Sequence, residues 1–399
     1  MNLLTNVSPL LPPLTGIGHY TRQLTLHLLA SGSIDDLKGV SALRWHDYQA
    51  IEQMLVDVSA ATELPSHKST VSSFVNKDLL LDLARKTPFA RRLKRALAQR
   101  TAQKMSNRCR DYVYWEPNYT LLPLDNPSAV TVHDLSHLHF PQYHPSERVD
   151  ILERTLNDSL QRASRVIAVS EYTRQDIAKH FGLAIDKIDV VPPAVCNSFR
   201  ATYAKQTLSL VRKKYSLPKQ YILSVATLEP RKNILGLVRA FRLLPQTTRK
   251  SFPLVLVGAR GWLSNELDQA LVPLMNRGEA IRLGYVDQVD LPKIYAAATC
   301  MAYVSFFEGY GMPVAEAMTA GVPVATSASS SMPEVAAGAA ALVDPYDVES
   351  ISSVLGKIVE DEPYRQEMSL KGKKASAEYT WLNSSQRLLS VLRRVESGR

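Results

Sequence analysis

Glu308 and Glu316 are separated by seven residues in Phe306-Phe307-Glu308-Gly309-Tyr310-Gly311-Met312-Pro313-Val314-Ala315-Glu316. The stretch follows a strand-like run, turns on two glycines and enters a helix at about Met312. Pro313 then sits in the first helical turn, where its missing NH costs nothing. Glu308 falls in the loop and Glu316 about one turn into the helix. Paired carboxylates hydrolyse glycosides when they flank a bond with room for water. Because both come from one loop and its helix, binding vicinal hydroxyls is the better use.

Glu229-Pro230-Arg231-Lys232-Asn233 also follows a strand-like run and opens a helix. The fork of Arg231, the point charge of Lys232 and the positive end of a helix can act on one anion, which suits a diphosphate. The plainer alternative is a solvated surface pair. Thr131-Val132-His133-Asp134 ends a third strand and puts His133 at its rim, facing a substrate hydroxyl or bonded to backbone. His137, His139 and His144 trail behind, but no ligand spacing supports a metal there, and no metal site is expected.

Thr15-Gly16-Ile17-Gly18-His19-Tyr20-Thr21 follows the first strand. Gly16 and Gly18 let backbone approach a ligand, and free NH groups at a helix start suit phosphate. Thr21 occupies the third glycine position of GxGxxG, which disfavours a nicotinamide cofactor. A plain turn is the competing reading.

These loops need elements to hold them. MNLLTNV, DYVYWE, SAVTVHD, RVIAVS and KIDVVPP read as strands, with helices from about Tyr20, Ser146 and Glu171. A second series contains YILSVAT, FPLVLVG, AIRLGYV, CMAYVSF, VPVATS and AALVDP, with helices from about Asn233, Leu291, Met312 and Val348. Alternation of this kind predicts an α/β protein with parallel sheets. Residues 196–220 lack a strand pattern and read as a linker with a short helix, so two Rossmann-like domains meet near residue 200. Ligand-binding loops of such sheets lie at the carboxyl ends of the strands.

Composition excludes several classes. With 45% hydrophobic and 21% charged residues, the 399-residue chain is neither disordered nor a disulfide scaffold, and its three cysteines form no CxxC pair. A reducing, cytoplasmic setting is expected. No run of 18 apolar residues occurs. Residues 84–110 hold ten Lys or Arg and no acid, leaving 37 basic against 38 acidic residues elsewhere. Within this segment Phe89, Leu93, Ala96 and Leu97 share one helical face, while Arg91, Arg92, Lys94 and Arg95 share the other. That pattern suits an anionic membrane surface, or merely a solvated helix. Nucleic acid is not expected, because stacking aromatics are missing.

The Glu308–Glu316 signature and the Arg231-Lys232 pair together resemble the retaining nucleotide-sugar glycosyltransferases of family GT4, which have the GT-B fold. TGIGHYT, TVHDLSHL, VSEYTRQDI, VVPPAV, LEPRKN, LVLVGARGW, GYVDQVDLPKIYAAA, GVPVATSASSSMPEVAAGAAALVDPYD and YTWLNSSQRLL match in family order. Ala194 and Val195 depart from the Asn-Gly common in relatives.

The resemblance implies an acceptor-side domain over residues 1–200, a nucleotide-sugar domain over 201–380, and a last helix, about 380–399 with Trp381 at its start, that crosses back to the first domain. It implies that Gly16 and Gly18 border the donor diphosphate, that His133 contacts the transferred sugar and that Arg231 and Lys232 hold the phosphates. Glu308 would touch sugar hydroxyls beside the backbone of Gly309, Tyr310 and Gly311, and Glu316 would bind the ribose. The base would rest near Tyr285 and Val286. No two Asp are separated by a single residue, so the Asp-any-Asp metal motif of the other large glycosyltransferase fold is missing and cationic side chains must replace it.

The text around EPRKN, GARGW and SSSMPEV is most similar to bacterial mannosyl or rhamnosyl transferases. The expectation is therefore a retaining, metal-independent hexosyltransferase. It would move mannose or rhamnose from a GDP-sugar to a lipid-linked or oligosaccharide acceptor in lipopolysaccharide or exopolysaccharide synthesis. No cofactor is expected, the nucleotide-sugar being a substrate, and the enzyme would work at the inner face of the cytoplasmic membrane. The alternatives are a UDP-sugar donor, a non-hydrolysing sugar epimerase and a non-catalytic membrane-bound module.

Overall fold

Continuous apolar runs such as Leu254–Val257 and Cys300–Tyr303 are buried at every position, as strands of a parallel sheet covered on both faces must be. They belong to a computed structural model that describes residues 1–12, 14–41, 44–56, 107–259 and 265–398. Its first sheet contains β1 (Asn2–Asn6), β2 (Asp36–Ser41), β3 (Arg44–His46), β4 (Tyr112–Glu116), β5 (Ser128–Val132), β6 (Arg165–Ala168) and β7 (Ile188–Val190). Their order is β3-β2-β1-β4-β5-β6-β7. β1 is parallel to β2 and β4, whereas β3 turns back antiparallel on β2.

The second sheet contains β8 (Ile222–Val225), β9 (Leu254–Val257), β10 (Ala280–Gly284), β11 (Cys300–Tyr303), β12 (Val324–Ser327) and β13 (Ala341–Val343). Its order, β10-β9-β8-β11-β12-β13, reverses direction between β8 and β11, and its pairs are parallel. In a doubly wound sheet the crevice for a ligand opens at this reversal, beside the carboxyl ends of the two strands. The loops after β8 and β11 are those that carry Arg231, Lys232 and Glu308.

The two sheets lie inside residues 1–200 and 201–380. Grouping by proximity divides the chain into two compact units. Met1–Thr131, Thr155–Val166 and Leu389–Arg399 form one, and Val132–Arg154 with Ile167–Leu388 forms the other. Trp381 is buried in the second unit, at the start of the helix Trp381–Ser397, whose last residues belong to the first. No helix of the described residues is long and apolar enough to cross a membrane.

Three readings need correction. β2 and β3 were not expected, because Lys38 and Gly39 interrupt the apolar run in β2. Gly39 is needed there since a side chain would press on Val7 and Ile51. The first helix, expected from about Tyr20, begins at Gly16, where the Thr15 hydroxyl accepts from the Gly18 NH at 3.3 Å and caps it. Arg231 and Lys232 lie in a separate 3-10 turn, Pro230–Lys232, and the helix after it starts at Ile234.

At the reversal of the first sheet, between β1 and β4, stands a fully buried carboxylate. Glu116 accepts from Asn6 Nδ2 at 3.0 and 3.1 Å, from the Tyr114 hydroxyl at 2.5 Å and from the Asn118 NH at 3.0 Å. Burial raises its pKa to about 8 against the pull of those donors.

Candidate active site

The 3-10 turn Pro230–Lys232 is anchored by Asn233, a buried residue in the left-handed region with φ 54°. Its Nδ2 donates to Val304 O at 3.0 Å and Pro345 O at 2.7 Å, tying the β8 loop to the β11 and β13 loops. Asn tolerates this backbone better than most side chains. The Phe306 NH then donates to Arg231 O at 3.0 Å, so the cation-bearing turn and the Glu308 loop share a backbone seam.

Across that seam three charges meet. Lys232 Nζ stands 2.6 Å from Glu308 Oε1, and Arg231 Nη1 stands 3.1 Å from Glu308 Oε2 and 2.7 Å from Phe307 O. Arg231 Nη2 reaches Glu229 at 2.9 Å, and the Tyr303 hydroxyl donates to Glu308 Oε1 at 2.8 Å. The side chains of Arg231, Lys232 and Glu308 are only 11%, 13% and 9% exposed. Burial alone would raise the Glu308 pKa, but Lys232 and Arg231 overcome it and hold the carboxyl at about 2. Burial lowers the Lys232 ammonium, with Glu308 opposing. Asp134 is likewise held well below the usual carboxylate range, Arg231 outweighing the effect of burial and Ser136 donating at 2.7 and 2.9 Å. The arrangement packs two cations onto one buried carboxylate, with Glu229 and Asp134 beside Arg231.

The loop bearing Glu308 is clamped on two sides. A Cβ on Gly309 would collide with the main-chain oxygen of His133, so this glycine lets the loop lie against the end of β5. The Gly309 carbonyl accepts from Ser170 Oγ at 2.6 Å and Thr173 Oγ1 at 3.1 Å. Gly311 has φ 103° and begins the helix Met312–Thr319. On the other side the run Thr326–Ser331 acts as a ladder of hydroxyl donors. Thr326 bonds Tyr303 O, Ser327 bonds Ser305 O, Ser329 bonds Phe306 O, and Ser331 bonds both Glu308 O and Tyr310 O, at 2.6–3.0 Å. Ser330 accepts from the Glu308 NH at 3.0 Å. No role for these serines is read from the sequence. Their spacing along the end of a strand, facing a second strand's loop, was the available signal.

Glu316 sits in the helix as expected, but its surroundings are the opposite of Glu308's. Among the described residues its one hydrogen-bonding side chain is Tyr295, whose hydroxyl donates at 2.8 Å. Burial raises the pKa to about 7, and Tyr295 pulls it only part of the way back. Tyr295 lies in Leu291–Ala297, the helix that follows the loop with Tyr285 and Val286. Tyr285 is 68% exposed and Val286 is buried.

The remaining sequence candidates are placed as follows. His133 follows β5 directly, and its main chain abuts Gly309 in the second unit. Gly16 and Gly18 open the helix Gly16–Ala30 in the first unit. Gly16 has open space where a Cβ would stand, whereas Gly18 is pressed against Pro9 O and Leu14, with its NH taken by Thr15. Packing therefore explains Gly18. Of the basic segment 84–110, residues up to 106, including Arg91, Arg92, Lys94 and Arg95, lie outside the described residues.

Comparison with known proteins identifies the family. The family "Glycosyl transferases group 1" matches residues 210–375, and "Glycosyltransferase Family 4" matches residues 59–198. The O-antigen chain mannosyltransferase B of Escherichia coli is 33% identical over 392 residues, covering 98% of this chain and 99% of that protein. The O-antigen chain mannosyltransferase RfbU of Salmonella typhimurium is 28% identical over 239 residues, 59% of this chain and 62% of its own length. Among solved structures, Anabaena Alr3699/HepE in complex with UDP and glucose aligns with a TM-score of 0.68 at 16% identity, covering 99% of this chain and all of that one. WaaG, a glycosyltransferase involved in lipopolysaccharide biosynthesis, aligns with a TM-score of 0.68 at 15% identity over 98% of this chain and 99% of its own. With a relative 33% identical along nearly its whole length, and with sheets that align with GT-B structures, the chain belongs to the family 4 glycosyltransferases.

Proposed function

We propose that this enzyme transfers mannose from GDP-mannose to a growing bacterial surface polysaccharide, with retention of configuration and without a catalytic metal. The observation that carries the transfer chemistry is the cluster of Arg231 and Lys232 on one buried carboxylate, Glu308. In the donor complex the diphosphate takes over both cations and Glu308 is released to accept hydroxyl hydrogens of the sugar. As the bond from the sugar to the diphosphate breaks, Arg231 and Lys232 take up the growing charge on the leaving group, the part a divalent ion plays in enzymes with an Asp-any-Asp motif.

Lys232 and Arg231 keep Glu308 ionised in the free enzyme, so it enters the donor complex as an acceptor suited to hydroxyl recognition. The acceptor hydroxyl then attacks an oxocarbenium-like sugar from the face the diphosphate leaves, and its proton passes to the departing phosphate. Glu316 receives the ribose hydroxyls, with the base near Tyr285 and Val286. His133 contacts the transferred sugar.

The mannose assignment is supported by the mannosyltransferase relatives, above all the full-length one. It is tested by measuring transfer from GDP-mannose, GDP-rhamnose and UDP-sugars to a mannosylated lipid-linked acceptor, with and without EDTA. Turnover with GDP-mannose that survives chelation is expected. Preference for a UDP-sugar would overturn the donor, and loss of activity restored by magnesium or manganese would overturn the electrostatics.

Attachment to the inner membrane surface through residues 84–110 belongs to the same proposal. Each Lys or Arg at an anionic surface contributes about 1 kcal/mol. Changing Arg91, Arg92, Lys94 and Arg95 to Gln should abolish flotation with anionic vesicles at low salt, and equal flotation of both proteins would reject the anchor.

A further inference from the structure

The helix Glu171–Phe181 presents Asp176 and His180 one turn apart, on the same face. His139, at the end of the short helix Ser136–His139, comes to that face from a segment 37 residues earlier. Its Nε2 stands 2.8 and 3.0 Å from the two Asp176 carboxylate oxygens, and His180 Nδ1 stands 3.1 Å from Asp176 Oδ1. The two imidazole rings meet edge to face, 4.9 Å apart. One donor atom from each of the three side chains lies within 4.8 Å of the others. Neither ring is used by the transfer chemistry above.

We propose that His139, Asp176 and His180 bind a divalent first-row transition metal, with Zn²⁺ the best fit. Two imidazoles and one carboxylate are the donor set that such ions take, and magnesium or calcium would ask for oxygens instead. With bonds of about 2.0 to 2.2 Å and tetrahedral angles, zinc ligands stand roughly 3.4 Å apart. The two histidine–carboxylate separations, 2.8 and 3.1 Å, must widen slightly, while the separation of the two histidine nitrogens, within 4.8 Å, adjusts by rotation of the half-exposed His180. His180 exchanges the contact of its Nδ1 with Asp176 main-chain O, 3.0 Å away, for the metal.

Asp176 is 8% exposed, while His139 and His180 are 28% and 34% exposed, so the carboxylate is fixed from within and the remaining coordination positions face water. An ordinary ion pair would use one histidine. Here two converge on a single buried carboxylate, and the pair is backed by an aromatic wall. Phe307 packs 4.8 Å from the His139 ring, and Tyr172 packs 5.8 Å from Phe307. Phe307 precedes Glu308, so the ion would fasten the segment Ser136–His139 to the helix beside the donor-binding loop. It is a structural clamp, and chelation should leave the transfer step in place.

The test uses the full chain without an oligohistidine tag, freed of metal by chelation and dialysis. Zn²⁺ affinity is measured by competition with a chromophoric chelator, and Co²⁺ is added as a spectroscopic probe. The native chain is expected to bind a single Zn²⁺, to gain melting temperature with it, and to show tetrahedral Co²⁺ bands. His180→Ala and His139→Ala should each weaken Zn²⁺ by at least about tenfold, the loss that even an outer partner of a metal site causes. His27→Ala, on the helix Gly16–Ala30, should leave it unchanged. His180 is exposed enough that its variant should fold, and a native circular dichroism spectrum checks this. If the native chain binds no Zn²⁺ at millimolar excess, or if either histidine variant binds as tightly as the native chain, the cluster is an ion pair only.

Discussion

Glu308 and Glu316 are the same residue type, eight positions apart, and the fold gives them opposite electrical lives. Glu308 is buried between Lys232 and Arg231 and stays ionised down to about pH 2. Glu316 has a neutral phenol for company and titrates near 7. The difference shows that a carboxylate's role follows from what shares its burial rather than from burial itself. One glutamate is part of a charged lattice and the other is a tunable hydrogen-bonding group.

The strongest test of the contrast is Glu308→Gln. Removing one member of a buried ionic cluster takes from Lys232 the carboxylate 2.6 Å away and from Arg231 one of its two, which costs about 3 to 5 kcal/mol. Urea denaturation should show that loss, and turnover should fall about a hundredfold or more. The pH dependence has a defined sign. A depressed carboxyl contributes stability above the unfolded pKa of roughly 4.3, and that contribution is lost only as pH falls toward about 2. A Glu308→Gln chain as stable as the native one would show that the lattice is not a unit.

A smaller effect is expected from Ser331→Ala, which removes the hydroxyl bonded to both Glu308 O and Tyr310 O while sparing every charge. The cost should be about 1 to 3 kcal/mol. Because the ladder positions Glu308 but leaves Glu316 alone, kcat should drop with little change in calorimetric GDP affinity. Equal losses in both would mean that the ladder supports the whole site.

Glu316→Gln should be milder still in stability, and its sign is reversed. A raised carboxyl contributes stability that is full below the unfolded pKa and lost as pH rises through about 7. Native stability should therefore decline over that window and the variant should not. Nucleotide affinity should move the other way, improving in the native chain as the carboxylate forms. The step present in the native chain and absent from Glu316→Gln separates this from titration of the phosphate. The smallest shift belongs to Tyr295→Phe, which removes the hydrogen bond that lowers Glu316 and should move the step upward by up to about one pH unit. A step that stays in place would remove Tyr295 from the account.

The regions differ too in how openly they could be read. All six strands of the second sheet are visible in the chain because each is built on a short, mostly apolar stretch between turn residues, as strands of a covered parallel sheet are. In the first sheet β2 and β3 escaped notice, since a strand at the flank tolerates Lys38, Gly39 and the exposed Arg44. Glu308, Arg231, Lys232 and Glu316 stand out by type and spacing, and the structure brings the first three together. The serine ladder and the Ser170 and Thr173 clasp on Gly309 do not stand out, because serine and threonine at loops have too many ordinary uses.

What the sequence determined on its own is local in origin. Strand and helix periods, the glycine and proline turns after β8 and β11, and the order of motifs all depend on neighbours within a few residues, and they suffice to place cations and carboxylates at strand ends. Tertiary structure alone decided the partners. Glu308 meets Arg231 and Lys232 across 77 and 76 residues, Asn233 reaches Pro345 across 112, and His139 joins Asp176 across 37. Desolvation and Coulomb coupling depend on distance through space and on how much water is excluded, and neither is written in the spacing of residues along the chain.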